Sequence, residues 1–166
     1  LSVTSQNNGV IGYFDTEILP EARHYENFIS VNFLGNVFFH PYKASCEMKV
    51  HALKLKNHNF TVGTGLYITG ALRKVIEGNY SYGEQLSSSD LKSKNIYIKL
   101  PFLNGNFCFK YMEQYVRELE TERVRELEAY LLASGLNNYQ LADNERERQR
   151  IVCRFSYLER PGKLLY

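Results

Sequence analysis

The sequence lacks tryptophan and contains only three cysteines, four prolines and two methionines among its 166 residues. Cys46, Cys108 and Cys153 are odd in number and far apart, so they form neither a CxxC pair nor a disulfide framework. This pattern favours a reducing, cytoplasmic location. A signal peptide and any apolar run long enough to span a bilayer are also missing, so no membrane partner is expected.

An excess of one charge is likewise absent. The net charge is +2 at pH 7, which by itself is too small to indicate a nucleic-acid partner, although the positive excess lies in the first hundred residues. Hydrophobic residues make up 44% of the chain, which is enough for a core and excludes wholesale disorder. The 13 tyrosines and 10 phenylalanines suit strands and core packing, and tyrosine also contacts bases and sugars.

The spacing of apolar and turn residues predicts an α/β (α+β) chain in which short strands are followed by helices. Strands are predicted at Val10–Phe14, Phe28–Phe33, Asn36–His40, Val50–Leu55 and Ile96–Leu100. Helices are predicted at Gly65–Glu77, around Asp90-Leu91, at Phe109–Ser134 and at Leu141–Val152. Leu34-Gly35 is a predicted hairpin turn, and Asn104-Gly105-Asn106 is a predicted turn before the longest helix.

The longest predicted helix, Phe109–Ser134, contains neither proline nor glycine, and Gly135 follows where a left-handed C-cap is expected. It would be about 40 Å long, which is too long for one face of a small domain to cover. Its apolar residues share one broad face. The residues of that face predicted to form a helix interface are Met112, Val116, Leu119, Arg123, Leu127 and Leu131.

Two spacings of eleven residues occur on this face, from Val116 to Leu127 and from Leu119 to Tyr130. They predict a nearly straight or slightly right-handed pairing of helices. Arg123 lies in the middle of the face and needs a partner there, because an unpaired buried charge is costly. Two interpretations stay open: the face packs on a partner helix or a segment outside this sequence, or it packs on the chain's own sheet.

Motifs for catalysis are weak in this sequence. Gly63-Thr64-Gly65 precedes a helix but lacks the further glycine and the Lys-Ser/Thr pair of nucleotide sites, so a turn and a helix start are favoured. Glu47-Met48-Lys49 matches half of a Mg²⁺-dependent nuclease motif, but Asp15 is the only aspartate before it. The residues His40, Cys46, His51 and His58 lack the spacing of paired zinc ligands. No catalytic residue and no metal site are therefore predicted, and binding is favoured over catalysis.

Three polar loops carry chemistry that suits DNA, where cations contact phosphates and amides or arginine contact base edges. They are Thr4–Gly9, with amide and hydroxyl groups, His40–Ser45, with a cation and aromatic rings, and Tyr80–Gln85, with tyrosine and glutamine. Each loop taken singly is better interpreted as an ordinary polar turn. The presence of all three loops in one small domain modestly strengthens the case for DNA binding.

Six segments in a fixed order carry a resemblance to a known family. They are VTSQNNGVIGY from Val3, VFFH from Val37, VHALKL from Val50, YSYG from Tyr80, IYIKLP from Ile96 and the long helix with its exit LLASGL. Together they resemble the target recognition domain and helical spacer of a type I restriction–modification specificity subunit, or a related type II recognition domain. The resemblance covers about residues 3–150. Its most specific parts are the Leu-Pro strand end, the Phe-x-x-Met-Glu helix entry and the LxxxGL exit.

The resemblance implies a twisted mixed sheet followed by a long helix of the coiled-coil type. It implies a DNA target recognition domain at residues 1–103 and a helical spacer at 104–153, with no role assigned to 154–166. In this family each of two recognition domains reads one half of a bipartite site, and the helices dock methyltransferase subunits. Catalysis belongs to those subunits and to an endonuclease subunit. S-adenosylmethionine, ATP and Mg²⁺ are therefore expected there, and no cofactor is expected here.

The sequence departs from the family pattern in three ways. The resemblance leads us to expect one recognition domain here, with the opening of that domain before Leu1, and no familiar pattern follows about Arg154. A half-subunit that pairs with itself, a fragment and a truncated product are the open interpretations. The residues expected near double-stranded DNA are Gln6, Asn7, Asn8, Lys43, Tyr80, Tyr82 and Gln85. Two alternative functions are a small Mg²⁺-dependent nuclease that uses Glu47 and Lys49, and a plain helical oligomerisation module.

Overall fold

The computed structural model describes residues 1–93 and 96–136. The strands are β1 (Arg23–Asn32), β2 (Val37–Cys46), β3 (Val50–Leu53), β4 (Phe102–Leu103) and β5 (Asn106–Phe107). The helices are α1 (Val62–Ile76), α2 (Ser88–Ser93) and α3 (Phe109–Ala133), and a 3-10 turn occupies Asn7–Gly9. The chain divides into two compact units, Leu1–Glu120 and Thr121–Tyr166.

The α+β class is confirmed by a small sheet followed by helices. β1 is the central strand of the larger sheet, with β2 on one side and β3 on the other, and β4 pairs with β5 in a separate hairpin. Each of these pairs is antiparallel, where the sequence led us to expect a mixed sheet. For β1 with β2 and for β4 with β5, antiparallel pairing follows from the short connections, because a parallel neighbour would need a crossover of a dozen residues or more.

The strand β1 is bent at Asn27, which has a φ of 50° and is skipped in the pairing of β1 with β2. Cys46 lies opposite Arg23 near one end of β1, whereas Val50 lies opposite Asn32 at the other. Four residues of chain reach about 14 Å at most, but nine residues of straight strand span about 30 Å. The two ends of β1 must therefore approach each other, and the bend falls at Asn27, opposite a bulge in which Pro41 and Tyr42 of β2 face this one residue.

Two apolar clusters lie on this bent sheet. The larger cluster joins the sheet to the helices through Ile29, Val31, Val37, Phe60, Ile68, Leu72, Ile76, Leu86 and Met112. The smaller cluster joins the three strands of the larger sheet through Phe28, Cys46 and Val50. Because all of these side chains are buried, their removal from water supplies most of the stability of the fold.

The first turn of α1 explains the Gly63-Thr64-Gly65 motif. Thr61 caps the helix, and its side chain and that of Thr64 bond each other's backbone in a capping box. A Cβ at Gly65 would lie 2.5 Å from the ring of Phe39, so only glycine lets the helix approach β2 this closely. The predicted helix start is confirmed, and α1 begins at Val62, three residues before the predicted Gly65.

Two predicted strands are wrong. Val10–Phe14 forms no strand, and Ile11, Tyr13 and Phe14 are exposed. Ile96–Leu100 also forms no strand, although its isoleucines and leucine pack on the larger core while the intervening Tyr97 and Lys99 are exposed. The alternation correctly marks which face is buried, but it contains no information about whether a neighbouring backbone is available for pairing.

The other predicted elements are confirmed with shifted ends. The hairpin turn at Leu34-Gly35 joins β1 to β2, and the short helix near Asp90 is α2. The turn at Asn104-Gly105 joins β4 to β5, two strands that the sequence did not predict. The predicted helix Leu141–Val152, Cys153 and the tail 154–166 lie outside the described residues.

The long helix α3 is confirmed from Phe109 to Ala133. Gly135 has a φ of 70°, and its N–H bonds the carbonyl of Leu132 while the N–H of Leu136 bonds that of Leu131. These two bonds form a Schellman motif, so the C-cap predicted at Gly135 is also confirmed. No helix among the described residues is long and apolar enough to cross a membrane.

Candidate functional site

The amide-rich turn near the start of the chain has a fixed backbone and exposed side chains. Asn7 and Asn8 both have φ near 50°, a left-handed conformation that asparagine tolerates better than most residues. Gly9 is buried against Phe38, and its carbonyl accepts the Ser2 N–H at 2.9 Å. Gly9 thereby anchors the turn to β2, while the side chains of Gln6, Asn7 and Asn8 stay exposed.

The two asparagines of this turn differ in how their amides are used. The Asn7 Nδ2 atom donates to the carbonyl of Val10 at 3.2 Å and stabilises the turn. The side chain of Asn8 makes no such bond to any of the described residues, and it is exposed. Asn8 therefore has both amide groups available for an external partner, whereas Asn7 has one of its donors already engaged.

Lys43 lies on β2 and is exposed, but it is already paired. Its Nζ atom lies 2.6 Å from the Oε1 atom of Glu17. The hydrogen bond from Lys43 holds the pKa of Glu17 below its usual value, and the same bond raises the pKa of Lys43. Because both side chains are in water, this pair contributes little to stability. A phosphate that binds Lys43 would nevertheless have to displace Glu17 first.

Next to Lys43, a buried hydrogen-bond chain connects β1 to the surface. The His40 Nε2 atom lies 2.8 Å from the Ser30 Oγ atom, and its Nδ1 atom lies 3.2 Å from the Tyr42 hydroxyl. His40 is fully buried, with its ring packed on Phe28. Burial lowers the pKa of His40 to about 4, so the imidazole is neutral at physiological pH.

The third predicted loop separates into residues with different roles. Tyr80 is half-buried and packs on the larger core, so its ring is part of the fold. Ser81 and Glu84 exchange two backbone hydrogen bonds of 3.0 and 3.2 Å, which place Tyr82 at the tip of a tight turn. Tyr82 is 77% exposed. Of the two predicted tyrosines, only Tyr82 presents its side chain to solvent.

The structure brings Tyr82 and Gln85 together with Lys49, which the sequence had suggested only as part of a nuclease motif. The Gln85 Nε2 atom donates to the Tyr82 carbonyl at 3.1 Å, and the Lys49 Nζ atom donates to Gln85 Oε1 at 3.0 Å. The Lys49 ammonium also lies 4.5 Å from the centre of the Phe33 ring. Lys49 and Gln85 are 36 residues apart, so no local spacing could have indicated this cluster.

The nuclease pair Glu47 and Lys49 does not converge on a common site. The Glu47 Oε2 atom accepts a hydrogen bond of 2.6 Å from Ser2 Oγ, while the Lys49 ammonium contacts Gln85 and Phe33. Within residues 1–93 and 96–136, no group of three or more His, Cys, Asp or Glu side chains is arranged to hold a metal ion. The geometry does not favour the nuclease alternative.

The predicted helix interface falls on both units of the chain. Met112 is fully buried in the larger core, and Val116 and Leu131 are half-buried. Leu119 and Leu127 are exposed. Arg123 is exposed and pairs with Glu126 at 2.5 Å within the helix, so it does not need the partner that its position on the face suggested. Interface roles for these residues stay a prediction.

Comparisons with known proteins identify a family. The family model described as "Type I restriction modification DNA specificity domain" matches residues 1–129. A curated relative from Heyndrickxia coagulans, "Type II restriction enzyme BgcI specificity subunit S.BcgI", is 29% identical over 129 residues, which are 75% of this chain and 36% of the relative. The chain therefore spans about a third of that relative's length. No solved structure matches the chain.

Proposed function

Because the chain belongs to the type I restriction modification DNA specificity domain family, we propose that it reads one half of a bipartite DNA target and docks methyltransferase subunits through α3. The family makes it a DNA-binding specificity domain of a restriction–modification system. The half-target and the docking are the finer steps of the proposal. They rest on which surfaces of the chain present polar groups and cations that can bind DNA, and on which surface presents apolar side chains that can pack on a protein partner.

The observation that carries the recognition step is the anchored turn at Asn7–Gly9. A side chain that discriminates bases must be rigidly held and must still have free donors and acceptors, since loose groups lose entropy on binding. Asn8 meets both conditions, because the contacts of the neighbouring Gly9 fix its backbone and its own amide is exposed. An asparagine amide can bond both N6 and N7 of adenine in the major groove, which is the pairing we assign to Asn8.

The cations have a different role in the proposal. Phosphate contacts fix the register of a protein on a duplex, and base contacts specify the sequence. We assign Lys43 to a phosphate contact that forms when Glu17 is displaced. Gln6, Asn7 and Tyr82 are proposed to lie beside the duplex, whereas Tyr80 is proposed to support the loop from within the core.

The assembly step rests on the apolar surface that α3 leaves uncovered. Leu119, Val124, Leu127 and Tyr130 are all at least 40% exposed on this helix. An apolar stripe on a helix that stays in water has an unfavourable free energy, and packing on another helix removes it. We propose a methyltransferase subunit as the partner, with a second copy of this chain as the way to complete a two-part site.

The chain itself is proposed to be non-catalytic. S-adenosylmethionine, ATP and Mg²⁺ would be used by the methyltransferase and endonuclease subunits, and no residue of this chain is assigned to them. This agrees with the separation of Glu47 from Lys49. Two outcomes contradict the proposal: cleavage of DNA by the purified chain in Mg²⁺ would favour the nuclease, and the absence of salt-dependent DNA affinity would favour the oligomerisation module.

The test is a selection of bound duplexes from a randomised double-stranded DNA pool, followed by affinity measurements at several salt concentrations. We expect one short half-site motif to be enriched and the logarithm of the affinity to fall linearly with the logarithm of the salt concentration. Lys43→Gln should weaken binding to all sequences and reduce the salt slope by about 1, the expectation for one lost phosphate contact. Glu17→Gln should strengthen binding, because Lys43 then has no competing partner.

A further inference from the structure

Phe33, Lys49, Tyr82 and Gln85 form a cluster held by contacts within the protein. The cluster lies at the end of the sheet where β1 turns into β2. Phe33 is buried, and its N–H bonds the Lys49 carbonyl at 3.1 Å. The Phe33 carbonyl accepts the N–H of Leu86 at 2.9 Å, so one residue holds both segments. Tyr82 packs on the Phe33 ring edge-to-face, with 5.8 Å between the ring centres. Two chain segments that are remote in sequence are thus fixed side by side.

Lys49 differs from Lys43 in the nature of its partners. The ammonium of Lys43 faces the carboxylate of Glu17, which cancels its charge. The ammonium of Lys49 faces the ring of Phe33 and the neutral amide of Gln85, and neither cancels its charge. An ammonium has three N–H donors, and these two contacts engage at most two of them. Lys49 is therefore a positioned cation that retains both its charge and a donor.

We propose that Lys49 contacts a phosphate of the bound duplex beside Tyr82, and that Gln85 is a positioning residue that acts through Lys49. This deepens the proposed function and depends on it. Immobilising a lysine costs side-chain entropy at the moment of binding, and a side chain already held by Phe33 and Gln85 has lost part of that freedom before DNA arrives. The exposed ring and hydroxyl of Tyr82 extend the same contact along the sugar–phosphate backbone.

This assignment changes the role predicted for Gln85. Its oxygen accepts from Lys49 and its nitrogen donates to Tyr82, so both ends of the amide are engaged within the protein. A bidentate base contact uses the oxygen and the nitrogen of an amide together, and in Gln85 each of these atoms already has a partner within the protein. Gln85 should therefore affect how tightly DNA is held without affecting which bases are preferred.

The experiment measures affinity for the selected duplex and for a scrambled duplex across a salt series, using the whole chain. Lys49→Gln should weaken binding to both duplexes several-fold and reduce the salt slope by about 0.9, the loss of one phosphate contact. Gln85→Glu should give a similar slope reduction, because it places a carboxylate beside an ammonium that is still present. Gln85→Ala should weaken binding less, with the slope and the base preference unchanged.

The matched control is Lys56→Gln, an exposed lysine beyond the opposite end of β3 that gives the same change in net charge. If Lys49→Gln behaves like this control, or weakens binding without a change in slope, the inference is overturned while the proposed function stands. If the unmodified chain shows no salt-dependent affinity for any duplex, the proposed function itself fails. A selected motif that changes in Gln85→Ala would also overturn the positioning role.

Discussion

At the scale of single residues, His40 combines full burial with two side-chain partners. Its ring nitrogens contact Ser30 and Tyr42, and its ring packs on Phe28 at 5.1 Å between centres. A neutral imidazole satisfies these contacts as one donor and one acceptor. Protonation would place an unpaired charge in this buried site, and none of these contacts is a carboxylate that could pair with it.

We expect this histidine to make the stability depend on pH. The pKa of His40 is lowered to about 4 by burial, whereas an unfolded histidine titrates near 6.5. The unfolded state therefore binds the proton first, and stability is lost as the pH falls from about 6.5 towards 4. Urea unfolding should show the free energy of unfolding falling by up to about 1.4 kcal/mol per pH unit in that window. His40→Gln should be less stable at pH 7 but should lack this part of the pH dependence.

Asn8 offers a test of base recognition without a change in backbone strain. Glycine adopts the left-handed conformation readily, so Asn8→Gly removes the amide while keeping the turn. We expect the base preference at one position of the selected motif to relax, with a loss of about 1–3 kcal/mol for the preferred base. The control is Asn7→Gly, which should mainly loosen the turn because that amide bonds Val10. Equal effects of the two variants on the motif would contradict the assignment.

At the scale of secondary-structure elements, the apolar periodicity of the sequence predicted which side chains pack on the core better than it predicted which strands pair with each other. The helices α1 and α3 were predictable because their spacing and end signals, such as Gly135, are local. The bend of β1 at Asn27 was not, because it follows from the pairing of Arg23 with Cys46 and of Asn32 with Val50, and each pair joins segments that are remote in sequence. Ile96–Leu100 has the alternation of a strand, yet it covers the core without a ladder.

Two glycines in α1 provide a matched pair for testing its packing. Gly65→Ala would bring a methyl group to about 2.5 Å from Phe39, so we expect a destabilisation of roughly 1–3 kcal/mol from overpacking. A methyl group at Gly70 would meet no atom within 4 Å apart from its chain neighbours and the adjacent backbone of its own helix, and Gly70→Ala should stabilise that helix by up to about 1 kcal/mol. Urea unfolding of both variants checks the signs. A neutral or stabilising Gly65→Ala would mean that α1 does not pack on β2 as described.

At the scale of the whole molecule, contacts between segments remote in sequence decide which of the predicted DNA-binding residues are available to DNA. The exposed amides of Gln6, Asn7 and Asn8 were predictable from composition, because amides in glycine-containing loops are usually at the surface. Composition did not separate the exposed Tyr82 from Tyr80, which packs on the core in the same loop. The pairing of Lys43 with Glu17 and of Lys49 with Gln85 was not predictable either, because each joins segments 26 and 36 residues apart. Which cation is available to DNA is therefore a property of the fold.

The assembly of the molecule gives the last prediction. If two copies pair through α3, Leu127→Glu should raise the dissociation constant of the dimer by up to about 1,000-fold, because each of the two copies loses a buried leucine worth roughly 2 kcal/mol. Leu132 is also exposed but lies off the predicted face, so Leu132→Glu is the matched control. Sedimentation equilibrium over a concentration series measures both variants, and DNA affinity per chain should stay unchanged in each. Equal weakening by the two variants would place the contact on another face, and a monomeric unmodified chain would leave the methyltransferase as the proposed partner of this helix.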